Sequence, residues 1–142
     1  MALKNSLIAG MTDLIVLSIL DKRGDCYVYD VFKYISSASD GDLEISQNTV
    51  YTSVYKLQDA GMITEYSKRV GRRRIRVYYT LEQKGVEYLQ SLRSDYSKIQ
   101  RGMATLFATL DEVERQTNEK DSIETDISNE NEISEDTISP EN

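Results

Sequence analysis

Residues 46–61 read SQNTVYTSVYKLQDAG, and residues 62–81 continue as MITEYSKRVGRRRIRVYYTL. The first stretch has a capping serine, Ser46, an apolar stripe at Val50, Val54 and Leu57, and a glycine, Gly61, where a helix stop belongs. At about 100° per residue, the opposite side carries Asn48, Thr52, Tyr55 and Asp59, with Thr49, Tyr51 and Lys56 on the flanks. This helix exposes amides, hydroxyls and phenols rather than charge pairs. In the second stretch Ile75, Val77, Tyr79 and Leu81 alternate with Arg74, Arg76, Tyr78 and Thr80, the period of a strand, and Met62–Val70 is its antiparallel partner. Lys68, Arg69, Arg72, Arg73, Arg74 and Arg76 make six of the nine residues 68–76 basic around Gly71. The product is a cationic hairpin placed directly after a polar-faced helix.

Upstream, Leu14, Ile15, Val16, Leu17, Ile19 and Leu20 predict a helix that is apolar on most sides and must be covered by more than one neighbour; Gly24 ends it. Val28, Val31, Phe32 and Ile35 then repeat as a one-faced amphipathic helix. Residues 36–41 form a polar turn, and Asp42–Ile45 reads as a very short strand. Downstream, a long helix starts near Glu82. Leu89, Leu92, Tyr96, Ile99, Met103, Leu106, Leu110 and Val113 follow at spacings of 3, 4, 3, 4, 3, 4 and 3, a narrow seam that calls for a partner. The simplest partner is the same helix of a second chain. The expected fold is mainly α with a small β-wing, a winged helix-turn-helix over residues 1–82. A dimerisation helix over 83–116 and a disordered acidic tail over 117–142 complete it.

Charge divides the same way. The 142 residues carry a formal net charge of −7, yet residues 1–110 hold 15 Lys/Arg against 12 Asp/Glu, whereas residues 111–142 hold 2 against 12. The tail has no aromatic residue and repeats Asp126-Ile127-Ser128, Glu132-Ile133-Ser134 and Thr137-Ile138-Ser139, a composition of disorder and low complexity. The front part is therefore a mildly basic domain.

Several chemistries drop out. With no His, there is no His-based triad and no HExxH zinc site. The single Cys26 allows no internal disulfide and fits a reducing cytosol; it reads as a small buried hydrophobe. The glycines form neither a dinucleotide loop nor a P-loop. Tyr29 and Lys33 make a YxxxK pair without a cofactor loop, which reads as helix surface. Asp40, Asp42 and Glu44 match no EF-hand. The apolar run Leu7–Leu20 is broken by Asp13, closed by Asp21-Lys22-Arg23 and too short to span a bilayer. The expectation is a cytoplasmic protein, not an enzyme, with no cofactor, metal or membrane partner.

Three helices followed by a basic hairpin suit double-stranded DNA. The major groove admits one helix and displays donors, acceptors and thymine methyls, which Asn, Thr and Tyr side chains can read. Lys56 can reach phosphate, and the hairpin can touch the backbone or enter the neighbouring minor groove. Here the sequence resembles PadR-type transcriptional regulators. Residues 45–61 look like the family's "IS-x-G-T-L-Y-P-x-L-x-R-L-E-x-x-G". Gly71-Arg72-Arg73-Arg74, followed by Tyr78-Tyr79-Thr80-Leu81-Glu82-Gln83-Lys84-Gly85, looks like its "GRRRKYY-x-LTEKG". Tyr27-Val28-Tyr29-Asp30-Val31 sits where the family has "HGYEL". Asn48, Thr52 and Tyr27 stand where the family has glycine, proline and histidine.

The resemblance implies a homodimeric, usually repressive regulator that sits on an inverted repeat and leaves it when an effector or stress signal arrives. It places Tyr29, Ser46, Asn48, Thr49, Tyr51 and Thr52 near the DNA, with Lys68, Arg72, Arg73 and Arg74 on the wing. Tyr55, Lys56, Arg69 and Arg76 join them on the reading of the residues themselves. Tyr96, Met103 and Phe107 have two readings, an effector pocket between subunits or plain core. An alternative for the whole chain is a winged-helix protein-interaction module such as an antirepressor.

Overall fold

The computed structural model describes residue 8 and residues 10–136, with side chains through residue 126. Its elements in order are α1 (Thr12–Arg23), α2 (Val28–Ala38), α3 (Gln47–Asp59), β1 (Ile63–Val70), β2 (Arg74–Leu81) and α4 (Gln83–Asp136). The chain forms two compact units, the second beginning at Ser97.

In the first unit, α1 is covered on most sides, as its composition requires: Val16, Leu17, Ile19 and Leu20 are all buried. Gly24, at φ +85°, releases the chain from the helix while its N–H still donates to the Leu20 carbonyl. α2 buries Val28, Val31 and Ile35, the stripe its periodicity predicts. The serine cap of α3 forms as read, with Ser46 Oγ accepting the Thr49 N–H at 3.1 Å. Its far end is a Schellman stop. Gly61, at φ +74°, donates to the Gln58 carbonyl, and Met62 donates to that of Leu57.

The hairpin pairs β1 with β2 from Ile63↔Leu81 to Val70↔Arg74. Its base enters the core through Ile63 and Tyr79, and α4 adds Leu89. α4 starts hard against the α3–β1 turn. A Cβ on Gly85 would lie 2.2 Å from the Met62 carbonyl oxygen, so glycine alone fits the approach.

Three expectations need correcting. Asp42–Ile45 forms no strand. The second edge of β2 is occupied instead by Cys26, which exchanges two backbone hydrogen bonds with Tyr79, while Ile45 is buried without sheet pairing. Leu89, read as the start of a dimer seam, is only 3 % exposed within its own protomer. Leu92 packs against the same core. Finally, the helix does not stop at 116. It continues to Asp136, through most of the segment read as a disordered tail. Neither Gly nor Pro interrupts residues 103–139, and each added residue of an existing helix gains a backbone hydrogen bond without a new nucleation step. Residues 137–142 of that expected tail lie outside the described residues.

Two outcomes follow from this packing. Gly85→Ala will lower the stability of the first unit by about 1–3 kcal/mol through overpacking, read as a drop in the thermal midpoint by circular dichroism. Burial, first, and then Asp30 push the Cys26 thiol up to about 11, and its Sγ–H donates to the Gly24 carbonyl. At pH 8 a thiol reagent will therefore modify Cys26 far more slowly in the folded protein than in urea. Equal rates would show that the thiol is accessible and ionised.

Candidate nucleic-acid interface

α3 turns Val50, Ser53, Val54 and Leu57 inward. Asn48, Thr52, Tyr55 and Lys56 are exposed, and Thr49 and Tyr51 are half-buried. This is the division the helical period predicts, but several of the outward groups already have internal partners. Ser46 and Thr49 share the cap, their hydroxyls 2.8 Å apart. Thr52 Oγ1 donates to the Asn48 carbonyl at 2.9 Å, so it offers an incoming group only its lone pairs and its methyl. Tyr51 and Tyr55 lie side by side, with ring centroids 5.7 Å apart. Asn48 and Tyr55 are the exposed groups with the widest reach.

Lys56 also has an internal partner. Its ammonium donates to Asp13 Oδ2 at 2.6 Å, while Ser53 Oγ donates to Asp13 Oδ1 at 2.6 Å. The hydrogen bond to Asp13, followed by the attraction of its charge, holds the Lys56 pKa above its ordinary value. Asp13 thus fastens α3 to α1 at two points on one carboxylate. Neither Asp13 nor Ser53 is a site residue in the sequence reading. The one available signal was an acid interrupting an otherwise apolar helix.

The wing separates its cations by face. Lys68 and Arg76 are opposite one another in the register, on the face that also holds Tyr66 and Tyr78. There the Arg76 guanidinium lies 4.4 Å from the Tyr27 ring and Lys68 Nζ lies 5.6 Å from the Tyr78 ring. Tyr78 stacks on Tyr66 at 5.7 Å and meets Tyr27 edge-on at 5.6 Å, and the Tyr66 hydroxyl donates to Asp25. Hydrogen bonding to that carboxylate raises the Tyr66 pKa. This ladder ties the wing to the turn before α2. Arg69, Arg72, Arg73 and Arg74 remain exposed toward the tip. Tyr29 is half-exposed at the start of α2, with Lys33 Nζ 5.5 Å from its ring, so the YxxxK pair is a cation–π contact on a helix surface.

Tyr96 lines an apolar groove of about 520 Å³ with Leu14, Ile15, Ile19, Tyr34 and Leu43. In the second unit Met103 and Phe107 are exposed, as are Ile99, Leu106, Leu110 and Val113. Among the described residues no helix is long and apolar enough to cross a membrane.

A model of the transcriptional regulator PadR-like family matches residues 16–91. Among solved structures, the chain is similar to a transcriptional regulator from Clostridium thermocellum. The two are 26% identical, with 73% of this chain and 97% of that chain covered and a TM-score of 0.65. It is also similar to a PadR family transcription regulator from Clostridium difficile R20291, at 22% identity, 69% and 99% coverage and a TM-score of 0.60. A third is Bacillus subtilis PadR in complex with operator DNA, at 24% identity, 56% and 45% coverage and a TM-score of 0.52. No curated protein matches the chain.

The Asp13 anchor gives a test independent of any ligand. Asp13→Asn will destabilise the first unit by about 2 kcal/mol, the scale of a hydrogen bond to a charged group, measured by urea unfolding. Because the Lys56 pKa is raised on folding, its contribution is full below the ordinary lysine value of 10.5 and is lost as pH rises through the folded value. The stability gap between the unmutated chain and Lys56→Met will therefore stay level from pH 6 to 9 and close at strongly alkaline pH.

Proposed function

Because this chain belongs to the transcriptional regulator PadR-like family, we propose that it is a homodimeric, DNA-binding repressor that occupies an inverted repeat and is released by an effector. One observation carries the DNA contact. A helix with an exposed polar face stands beside a hairpin whose exposed Arg69, Arg72, Arg73 and Arg74 have no acid among them from Tyr66 to Leu81. That combination supplies base-edge readers and phosphate partners together. Asn48, Tyr51 and the acceptor of Thr52 read the groove, and Tyr29, Tyr55 and the wing arginines hold the backbone. Ser46 and Thr49 secure the helix start, and Lys56 acts through Asp13. The likeness in fold to Bacillus subtilis PadR, whose structure is a complex with operator DNA, supports DNA as the partner.

Pairing rests on the apolar side chains that one protomer leaves uncovered. Ile99, Met103, Leu106, Leu110 and Val113 continue the seam beyond the residues used by the first unit and are 45–60% exposed. The groove lined by Leu14, Ile15 and Tyr96 is a second apolar surface for the other copy. Two identical heads then meet successive major grooves about 34–36 Å apart on one side of a duplex. An effector seated at the pairing surfaces changes the spacing of the heads and so releases the DNA.

Selection of bound duplexes from a random pool will recover an inverted repeat with the unmutated chain. It will recover none with Arg72→Glu, Arg73→Glu and Arg74→Glu combined, although that variant stays folded and dimeric. If roughly eight phosphates are neutralised per dimer, the slope of log affinity against log salt will be near −7. A protomer that stays single at micromolar concentration in sedimentation, with or without the selected duplex, would overturn the dimer. A chain that ignores both heparin and DNA yet binds a protein partner regardless of salt would replace this reading with the antirepressor one.

A further inference from the structure

A strand that passes from a major groove filled by α3 to a minor groove beside the wing must cross between those two elements. In this head the crossing is a cleft of about 420 Å³, walled by α3, the start of α2 and one face of the hairpin. The register decides what that face presents. Arg69 is opposite Ile75, Ser67 opposite Val77 and Glu65 opposite Tyr79, so strand alternation puts all six on the same side. Ile75 is 71% exposed and Val77 40% exposed, and Tyr55 and Tyr29 of the facing wall are 55% and 50% exposed.

Ile75 and Val77 on one wall and the rings of Tyr29 and Tyr55 on the other give the cleft apolar jaws, while tyrosine hydroxyls, Glu65 and Arg76 make up a polar part of similar extent. Its carboxylate is Glu65, and the cation that reaches it, Arg76, rests its guanidinium on the Tyr27 ring. Phosphate gains little from those jaws, and Glu65 opposes the attraction that Arg76 would offer it. Deoxyribose, by contrast, presents C–H edges that gain from apolar contact and lacks the 2′-hydroxyl that such contact would desolvate. The cations that suit phosphate, Arg69 and Arg72–Arg74, lie toward the tip.

We propose that this cleft clamps one strand of the duplex by its deoxyribose rings, with Ile75 and Val77 as one jaw and Tyr29 and Tyr55 as the other. The phosphates on either side fall to the tip arginines. The inference rests on the DNA-binding reading above, and it makes the apolar residues of the wing selective for DNA over RNA at the crossing nucleotides. Contact of this kind is charge-free, so it changes affinity without changing salt dependence.

The test uses the full chain and the inverted repeat recovered from the random pool. Combined Ile75→Ser and Val77→Ser will weaken binding about tenfold with an unchanged salt slope, whereas Ile75→Leu will bind as the unmutated chain does. Arg73→Ala will instead make the slope shallower by about 1 to 2 per dimer, one or two phosphate contacts being lost. Single ribonucleotides scanned along each half-site will weaken the unmutated chain about tenfold over a window of a few nucleotides on one strand, the scale of a desolvated hydroxyl. That window will disappear in the double serine variant. Both positions are exposed, so the serine variant keeps the fold, which matching circular dichroism melts verify. Unchanged affinity of the serine variant, a slope change like that of Arg73→Ala, or the absence of a ribonucleotide window would each overturn the clamp while leaving DNA binding intact. Failure of the unmutated chain to hold any duplex at low salt would instead overturn the DNA-binding reading, and the clamp with it.

Discussion

The carboxylate of Asp13 is the constraint on which the reading surface depends. An acid in an apolar helix is costly to bury unless its oxygens find donors. Here each oxygen has one at 2.6 Å, Ser53 on one side and Lys56 on the other, both from α3. Apolar packing of Val16 and Leu17 against Val50 and Val54 is non-directional and tolerates sliding. Two short hydrogen bonds three residues apart on α3 do not. They fix how far α3 is rotated and translated along α1, and so fix where Asn48 and Tyr55 emerge. The opposite side of α1 contributes Leu14, Ile15 and Ile19 to the apolar groove. One helix therefore holds α3 in place and lines the apolar groove.

A similar logic governs the wing. A two-stranded hairpin is marginal on its own, and this one carries a run of cations that repel one another. Stability comes from its base, where Ile63 and Tyr79 are buried, and from the tyrosine ladder along one face. The ladder also removes Lys68 and Arg76 from the mobile charge by placing them over rings. Exposed positive charge is concentrated toward the tip, at Arg69, Arg72, Arg73 and Arg74, away from the packed base of the hairpin. The chain's formal charge of −7 is no obstacle. Screening in physiological salt acts over about 8 Å, so local charge, not the total, decides what a hairpin tip attracts.

The parts legible in the sequence were those specified by neighbours in the chain. Ser46 and Gly61 bracket α3 because capping is a matter of a few residues, and alternation from Arg74 to Leu81 names a strand because side chains take turns across the pleat. The illegible parts depend on residues far apart. Nothing local says that Asp13 will meet Ser53 and Lys56 forty residues later, or that Cys26 rather than residues 42–45 will close the edge of β2. Leu89 fits a heptad seam perfectly well by spacing, but period alone does not say which surface a helix faces, and the first unit claims it. The extension of α4 past 116 was missed for a different reason. Acidic composition argues against a packed core, but it does not argue against a helix that nothing breaks.

That correction to the seam changes what must hold two copies together in the homodimer we propose. With Leu89 in the core, and Leu92 packed against it, the uncovered seam runs from Ile99 to Val113, about 22 Å of helix at 1.5 Å per residue. Beyond it the same spacing meets Thr117, Lys120 and Glu124, so apolar pairing ends there. The five seam residues are already about half covered by their own helix, leaving about 1 kcal/mol each to gain on burial, or about 10 kcal/mol for two copies. The loss of free motion on association is about 4–15 kcal/mol. The seam alone therefore comes out near balance, too weak to set a firm spacing between heads. The apolar groove beside α1 is the surface we propose makes up the difference, and it lies on the helix that Asp13 ties to α3. In the homodimer we propose, the strength of pairing and the placement of the reading helix would then be properties of one element, α1.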